Sequence, residues 1–167
     1  MVQINSSILI VDGYNIIGAW ENLKDLKNKD MGSARDQLIH TLSAYLSWSW
    51  QRIIVVFDGQ EFQWEEHDGV EVVYTGMRET ADTLIERLAA GLVSYGRVEV
   101  ATSDFAEYRA AAAVGAGVLS ATALKERLAE QRAAYMRHTA PAEKKGLMLN
   151  EVLNEDILRT LDRLRRS

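Results

Sequence analysis

Ile8-Leu9-Ile10-Val11-Asp12-Gly13-Tyr14-Asn15 is the stretch that decides the fold. Its unbroken aliphatic run suits a strand buried on both faces, since a strand with one wet face would alternate apolar and polar residues. The Asp-Gly pair that ends the run is turn chemistry. The same arrangement returns at residues 53–57, which end in Asp58-Gly59, and at residues 98–102, followed by Ser103-Asp104. Residues 70–74 form another β-branched and aromatic run, and residues 117–119 a weaker fifth.

Helical patterns separate these runs. Residues 33–50 place Leu38, Ile39, Leu42, Tyr45 and Leu46 on one stripe, and residues 80–95 do so with Leu84, Ile85, Leu88 and Leu92, with Gly96 as a C-terminal stop. Residues 104–114 are alanine-rich, and residues 121–138 are long, charged and amphipathic. Residues 139–146, with Pro141, read as an exposed loop, and residues 150–166 as a closing helix. Strands alternating with helices predict an α/β fold with a mostly parallel sheet and right-handed crossovers. The connection from Asp58 to Val70 is too short for a crossover helix, so a loop or a local antiparallel turn is expected there. A length of 167 residues suits one domain, with residues 121–167 as a basic extension of it.

The net charge is −5, divided as −8 over residues 1–118 and +3 over residues 119–167. Such a chain can hold metal with one part and phosphate with the other. The absence of cysteine excludes disulfides and thiolate metal sites and fits a reducing cytosol. No apolar run approaches the roughly 20 residues needed to span a bilayer. Residues 1–13 lack the pattern of a signal peptide, so a cytoplasmic protein without membrane attachment is expected.

In an open α/β sheet the ligand crevice lies outside the carboxyl ends of the strands. Parallel strands therefore deliver Asp12, Asp58 and Asp104 to one edge, and Asp82 opens a helix at that same edge. Taken singly, each is also an ordinary turn or cap residue. Taken together they repel one another unless a cation neutralises them. Oxygen donors without His or Cys point to Mg²⁺ or Mn²⁺, ions that act on phosphate esters. Asn15 can hydrogen-bond the reacting groups or form an Asx turn. Arg35, opening the first long helix, can clamp a phosphate with its planar fork; its neighbour Asp36 reads as a solvated helix position.

Arg127, Arg132, Arg137, Lys144 and Lys145 are the basic candidates for RNA contact, against the simpler reading of a solvated helix. Trp48, Trp50 and Trp64 can stack on bases or pack. His40, His67 and His138 share no spacing that suggests a catalytic pair. Three other chemistries lack their motifs. Tyr14 stands where a haloacid-dehalogenase-type phosphatase needs its second aspartate, and no lysine follows residues 117–119 as a receiver domain requires. Asp12-Gly13-Tyr14-Asn15 is not a dinucleotide-binding glycine loop.

The segment from Val11 to Trp20, together with Ser33-Ala34-Arg35-Asp36, Val55-Val56-Phe57-Asp58, Glu79-Thr80-Ala81-Asp82 and Ala101-Thr102-Ser103-Asp104, resembles the NYN branch of the PIN-like nucleases. More closely it resembles the YacP-like proteins, which include a ribosome-dependent endoribonuclease that cleaves mRNA in the ribosomal A site. The resemblance implies a PIN-like three-layer fold and a Mg²⁺ or Mn²⁺ site in which Asp12 and Asp82 are the essential acids. It makes Asp104 the acid after the fourth strand and Asp58 a further acid beside the site. It also implies an endoribonuclease acting on mRNA with the ribosome as partner and leaving 5′-phosphate and 3′-hydroxyl ends. The alternatives are a non-catalytic RNA- or ribosome-binding module of the same fold, or an enzyme using these acids on DNA flaps or small phosphate esters.

Overall fold

The computed structural model describes residues 6–143 with Arg163 and Arg165, the side chains of residues 138–143 excepted. Six strands form one sheet: β1 (Ser6–Asp12), β2 (Arg52–Phe57), β3 (Gln63–His67), β4 (Val70–Tyr74), β5 (Gly96–Ala101) and β6 (Gly117–Leu119). Their order is β3-β4-β2-β1-β5-β6. Every pairing is parallel except that of β3 with β4. The α/β architecture is therefore as the alternation of runs and stripes predicts.

Each central strand is buried twice because helices cover both faces. Ile8, Ile10, Ile54, Val56, Val73, Val98 and Val100 pack with Ala81, Leu84, Ile85, Ala89 and Ala111. The last five belong to α4 (Ala81–Leu92) and α5 (Phe105–Ala113). The residues between them in β1 and β2, Leu9, Val11, Ile53, Val55 and Phe57, face the other way and are fully buried. On that face α1 (Gly13–Ala19) and α3 (Met31–Ser43) meet the sheet, with α2 (Glu21–Lys29) packed on both helices. Burying each such aliphatic side chain contributes roughly 1.5–3 kcal/mol.

Several boundaries differ from the sequence reading. The stripe assigned to residues 33–50 stops as helix at Ser43, because Ser47 adopts a left-handed φ of 69°. The turn that follows buries Trp50, whose Nε1 donates to Glu99 Oε1 at 3.1 Å, so Trp50 is a core residue and does not meet bases. Gly96 opens β5 instead of closing a helix. A Cβ there would lie 2.1 Å from the Ser6 carbonyl oxygen, so the close strand approach requires glycine. The connection after Asp58 takes the antiparallel form expected as one alternative there: it contains β3, joined to β4 by Asp68-Gly69 with φ of 52° and 84°, the two-residue hairpin turn that such a pair favours.

Contacts divide the chain into two compact units, residues 1–125 and 126–167. The last helix, α6 (Ala121–Glu143), runs through Pro141 where a loop was expected. Ala140, Ala142 and Glu143 favour continuing the helix there, against the cost of one missing N–H. Lys144, Lys145 and most of the expected closing helix lie outside the described residues, although Arg163 and Arg165 are helical. Among the described residues no helix is long and apolar enough to cross a membrane.

Gly13, directly after β1, sets how closely α1 approaches β2. A Cβ on it would come 2.2 Å from Cε1 of Phe57, a fully buried ring. Gly13→Ala is expected to cost about 1–3 kcal/mol through overpacking, read as a lower urea midpoint with an unchanged slope.

Candidate active site at the carboxyl edge of the sheet

The strand order reverses direction at β1. From β1 the chain builds outward through β2 and β4, then returns to place β5 on the opposite flank of β1. The crevice outside the carboxyl ends of β1 and β5 is thus the topological switch point, where ligands bind in folds of this class. Asp12 is the last residue of β1 and stands there. It precedes α1 as N-cap, and the Asn15 N–H of that helix's first turn bears on its carboxylate without closing an ordinary cap hydrogen bond.

The groups around Asp12 set its charge. Burial pushes its carboxyl above the usual carboxylate range. Hydrogen bonding from Glu107 and from the Asn15 backbone N–H pulls it back, and the charges of Asp82 and Asp58 raise it further. Glu107 itself is 4% exposed. Burial, then its hydrogen bond and charge interaction with Asp12, push its carboxyl up to about 9. Thr102 Oγ1 donates to Glu107 Oε2 at 3.1 Å, while Oε1 is buried without another partner. A proton on Glu107 therefore lets Asp12 remain an anion beside it. Sequence reading missed Glu107. Its one signal is position, three residues after the helix-starting Asp104, where an acid normally reaches back to cap the helix.

The four aspartates do different work. Asp58 is exposed, and its Oδ1 accepts from the Ala81 N–H at 2.8 Å, which fixes the start of α4. Asp82 follows one residue on, exposed in the first turn of that helix, and its charge reaches both Asp12 and Glu107. Asp104 caps α5: its Oδ1 accepts from Ala106 N at 2.9 Å and Glu107 N at 3.2 Å. Asn15 spans the crevice, its Oδ1 accepting from the Ser103 N–H at 2.7 Å, which leaves its amide NH₂ as a donor group. Ser103 Oγ in turn accepts from Ala121 N at 3.0 Å, and Thr80 Oγ1 from Thr83 N at 3.3 Å, so both hydroxyls hold helix starts. Among the described residues no three His, Asp or Glu side chains form a ready-made metal cage.

Arg35 joins the edge from α3. Its Nη1 donates to the Tyr14 hydroxyl at 3.2 Å, and the Tyr14 ring leans on Phe57 at 4.8 Å. Asp36 is exposed on α3, as a solvated helix position would be. The basic residues of α6 do not gather on one stripe. Arg127, Arg132 and Arg137 recur every five positions, about 140° apart around a helix of 3.6 residues per turn. Arg132 and Arg137 are exposed and Arg127 half-buried, while Lys144 and Lys145 lie outside the described residues. Trp48 and Trp64 are about half exposed, His40 is exposed, and His67 pairs with Glu65 at 2.7 Å.

Comparison with known sequences agrees with this geometry. The profile of the YacP-like NYN domain matches residues 9–166. The chain belongs to the YacP-like NYN domain family. It is 41% identical over 171 aligned positions to the uncharacterized protein YacP of Bacillus subtilis strain 168, covering 95% of this chain and 96% of that one. A crystal structure of a mutant of Rae1 (YacP) from Bacillus subtilis superposes with a TM-score of 0.73 at 39% identity, over 88% of this chain and 90% of that one. A second crystal structure of Rae1 (YacP) gives 0.69 at 38% identity, over 96% and 95%. This YacP-like NYN domain thus has a nuclease-like fold, and at the carboxyl edge of its sheet Asp12 interacts with Glu107, Asp82 and Asp58, whereas Asp104 is engaged in capping α5.

Glu107 gives the site a pH signature. Its carboxyl ionises near 4.5 in an unfolded chain but holds its proton up to about 9 when folded. Folding therefore costs more as pH rises between those values, and stability from this group is greatest at acid pH. Glu107→Gln keeps the shape and the Thr102 contact without the proton. In metal-free buffer its melting temperature is expected to equal the parent's near pH 4 and to exceed it increasingly toward pH 8.

Proposed function

We propose that this chain is a divalent-metal-dependent endoribonuclease that hydrolyses mRNA in association with the ribosome. The observation that carries this reading is a half-buried Asp12 at the switch point, flanked by protonated Glu107 and by the charges of Asp82 and Asp58. Such an arrangement is unfavourable by itself and gains from a cation. The donor set fits Mg²⁺ or Mn²⁺, since Mg²⁺ is commonly held by one or two carboxylates, waters and substrate phosphates in place of an all-protein cage. Asp12 and Asp82 would hold the ion, with Asp58 and Asp104 contributing negative field at the edge. When bound, it supplies activation of water and neutralisation of the charge that builds on the phosphate.

The residues of the chain do the remaining work. Glu107 keeps a proton so that Asp12 stays ionised. Arg35, making no ion pair among the described residues, offers its guanidinium to a phosphate oxygen. Asn15 braces the two sides of the crevice and presents its NH₂ to the same group. Water adds to phosphorus, the bond to the 3′ oxygen breaks, and the products are a 5′-phosphate and a 3′-hydroxyl.

The charge pattern supports the ribosome as partner. Residues 1–118 carry −8 and repel free RNA, so contact with a larger particle has to position the strand. The basic residues Arg127, Arg132, Arg137, Lys144 and Lys145 belong to the part carrying +3 and are assigned to that contact.

Asp12→Asn and Asp82→Asn are each expected to lower cleavage of ribosome-engaged mRNA by at least about a hundredfold, with circular dichroism unchanged. Full activity in a folded Asp12→Asn protein would remove the assignment. Efficient cutting of free mRNA at physiological salt by the purified chain would remove the ribosome from it. Arg35→Gln is expected to weaken strand binding evenly across sequences and to reduce the slope of log affinity against log salt by about 1.

A further inference from the structure

Beside Arg35 lies a cleft that the cleavage chemistry leaves unused. It measures about 340 Å³ and is lined by Gly59, Gln60, Glu61, Gln63 and Tyr74. Its lining begins at Gly59, the residue after Asp58. Its position is fixed by tight packing, since a Cβ on Gly59 would come 2.9 Å from the Thr75 carbonyl oxygen and 3.1 Å from Tyr74 Cβ. The Gly59 N–H also donates to Thr75 Oγ1 at 3.1 Å, and Thr75 is fully buried. Tyr74 stacks on Phe57 with centroids 5.6 Å apart, and Phe57 in turn meets Tyr14, whose hydroxyl holds Arg35. One aromatic chain therefore connects the cleft, the cation and the start of α1.

The lining selects the kind of group that fits. It contains no cation and one carboxylate, so a phosphate is repelled from the cleft and drawn to Arg35 next to it. What remains is room for a flat, uncharged, hydrogen-bonding group against the ring of Tyr74. We infer that the cleft bounded by Gly59–Gln63 and Tyr74 binds a nucleobase of the RNA strand, with the phosphate of the same nucleotide on Arg35, and that Glu61 selects bases bearing an amino group. Single-stranded RNA is read in this manner elsewhere, by stacking on aromatic rings and hydrogen bonds to base edges. Gln60 and Gln63 both donate and accept, so they tolerate any base. Glu61, when ionised, only accepts. Adenine, cytosine and guanine present amino donors to it, whereas the one ring N–H of uracil is flanked by two carbonyl oxygens that a carboxylate repels.

This inference takes its strand from the nucleolytic reading, but the binding itself needs no cleavage, so the test reads binding. The full chain is titrated with AMP, CMP, GMP, UMP and inorganic phosphate while backbone amide resonances are followed. The three amino-bearing nucleotides are expected to shift Gly59, Gln60 and Gln63, with UMP about tenfold weaker. Phosphate alone is expected to shift only resonances around Arg35 and Tyr14. Glu61→Gln, an exposed substitution whose amide can donate to uracil, is expected to bring UMP level with the others. Asp12→Asn is expected to bind as the parent does, so loss of cleavage and loss of binding are told apart. Equal shifts by phosphate and nucleotides, silence of the cleft amides, or a preference unmoved in Glu61→Gln would overturn the assignment.

Discussion

β1 is bonded on one side to β2 and on the other to β5, and its side chains from Ile8 to Val11 are buried on both faces. A strand so enclosed has one open end, and the acids of the carboxyl edge are arranged around what stands there. The side chain of Asp12 cannot retreat into the sheet, where Val11 and Phe57 are fully buried. It is held half in and half out of water, at the place where the sheet changes direction. The glycine beside it follows from the same enclosure: α1 must start at once, against the Phe57 ring, with no room for a Cβ.

That placement explains why the neighbouring acids take such different forms. A second ionised carboxylate as deeply buried as Glu107 would add both desolvation and repulsion, so Glu107 keeps its proton. Asp82 and Asp58 are exposed, and water screens much of their effect on Asp12. Asp58 also returns part of its cost by anchoring the first N–H of α4, which in turn sets where Asp82 stands. Asp104 does the equivalent for α5 and so carries Glu107 into place. Two aspartates thus act as positioning residues for two other acids. The site is built from helix starts aimed at one strand end.

How much of this was legible in the sequence follows from what hydropathy reports. The parallel strands were visible because burial on both faces leaves unbroken aliphatic runs, and Asp12, Asp58 and Asp104 because three of those runs lead into them. β3 was not, since all five residues of Gln63–His67 are exposed and show no alternation. Its evidence lay instead in Asp68-Gly69, a turn pair whose positive φ values join hairpin strands. Glu107 was invisible for a related reason: an acid in an alanine-rich helix reads as solvent-facing, and only tertiary packing buries it. The stripe through Leu46 overran the true end of α3 because periodicity does not register a left-handed residue such as Ser47. Trp50 could stack on bases or pack, and the buried Glu99 that receives its indole N–H decides for packing.

The two flanks of the crevice are unlike, and the difference follows from the strand order. On the β5 side the polar groups of Asn15, Ser103, Thr102 and Asp104 are tied to backbone N–H groups or to Glu107, so that flank is braced by its own hydrogen bonds. On the β2 and β4 side the groups are a guanidinium held by a phenol, stacked rings, and an open hairpin edge carrying amides and a carboxylate. The first flank is fixed by those bonds, while the second presents polar side chains on an open edge. The one departure from parallel order is what supplies that edge, because a further buried parallel strand would have offered neither exposed amides nor an open ring.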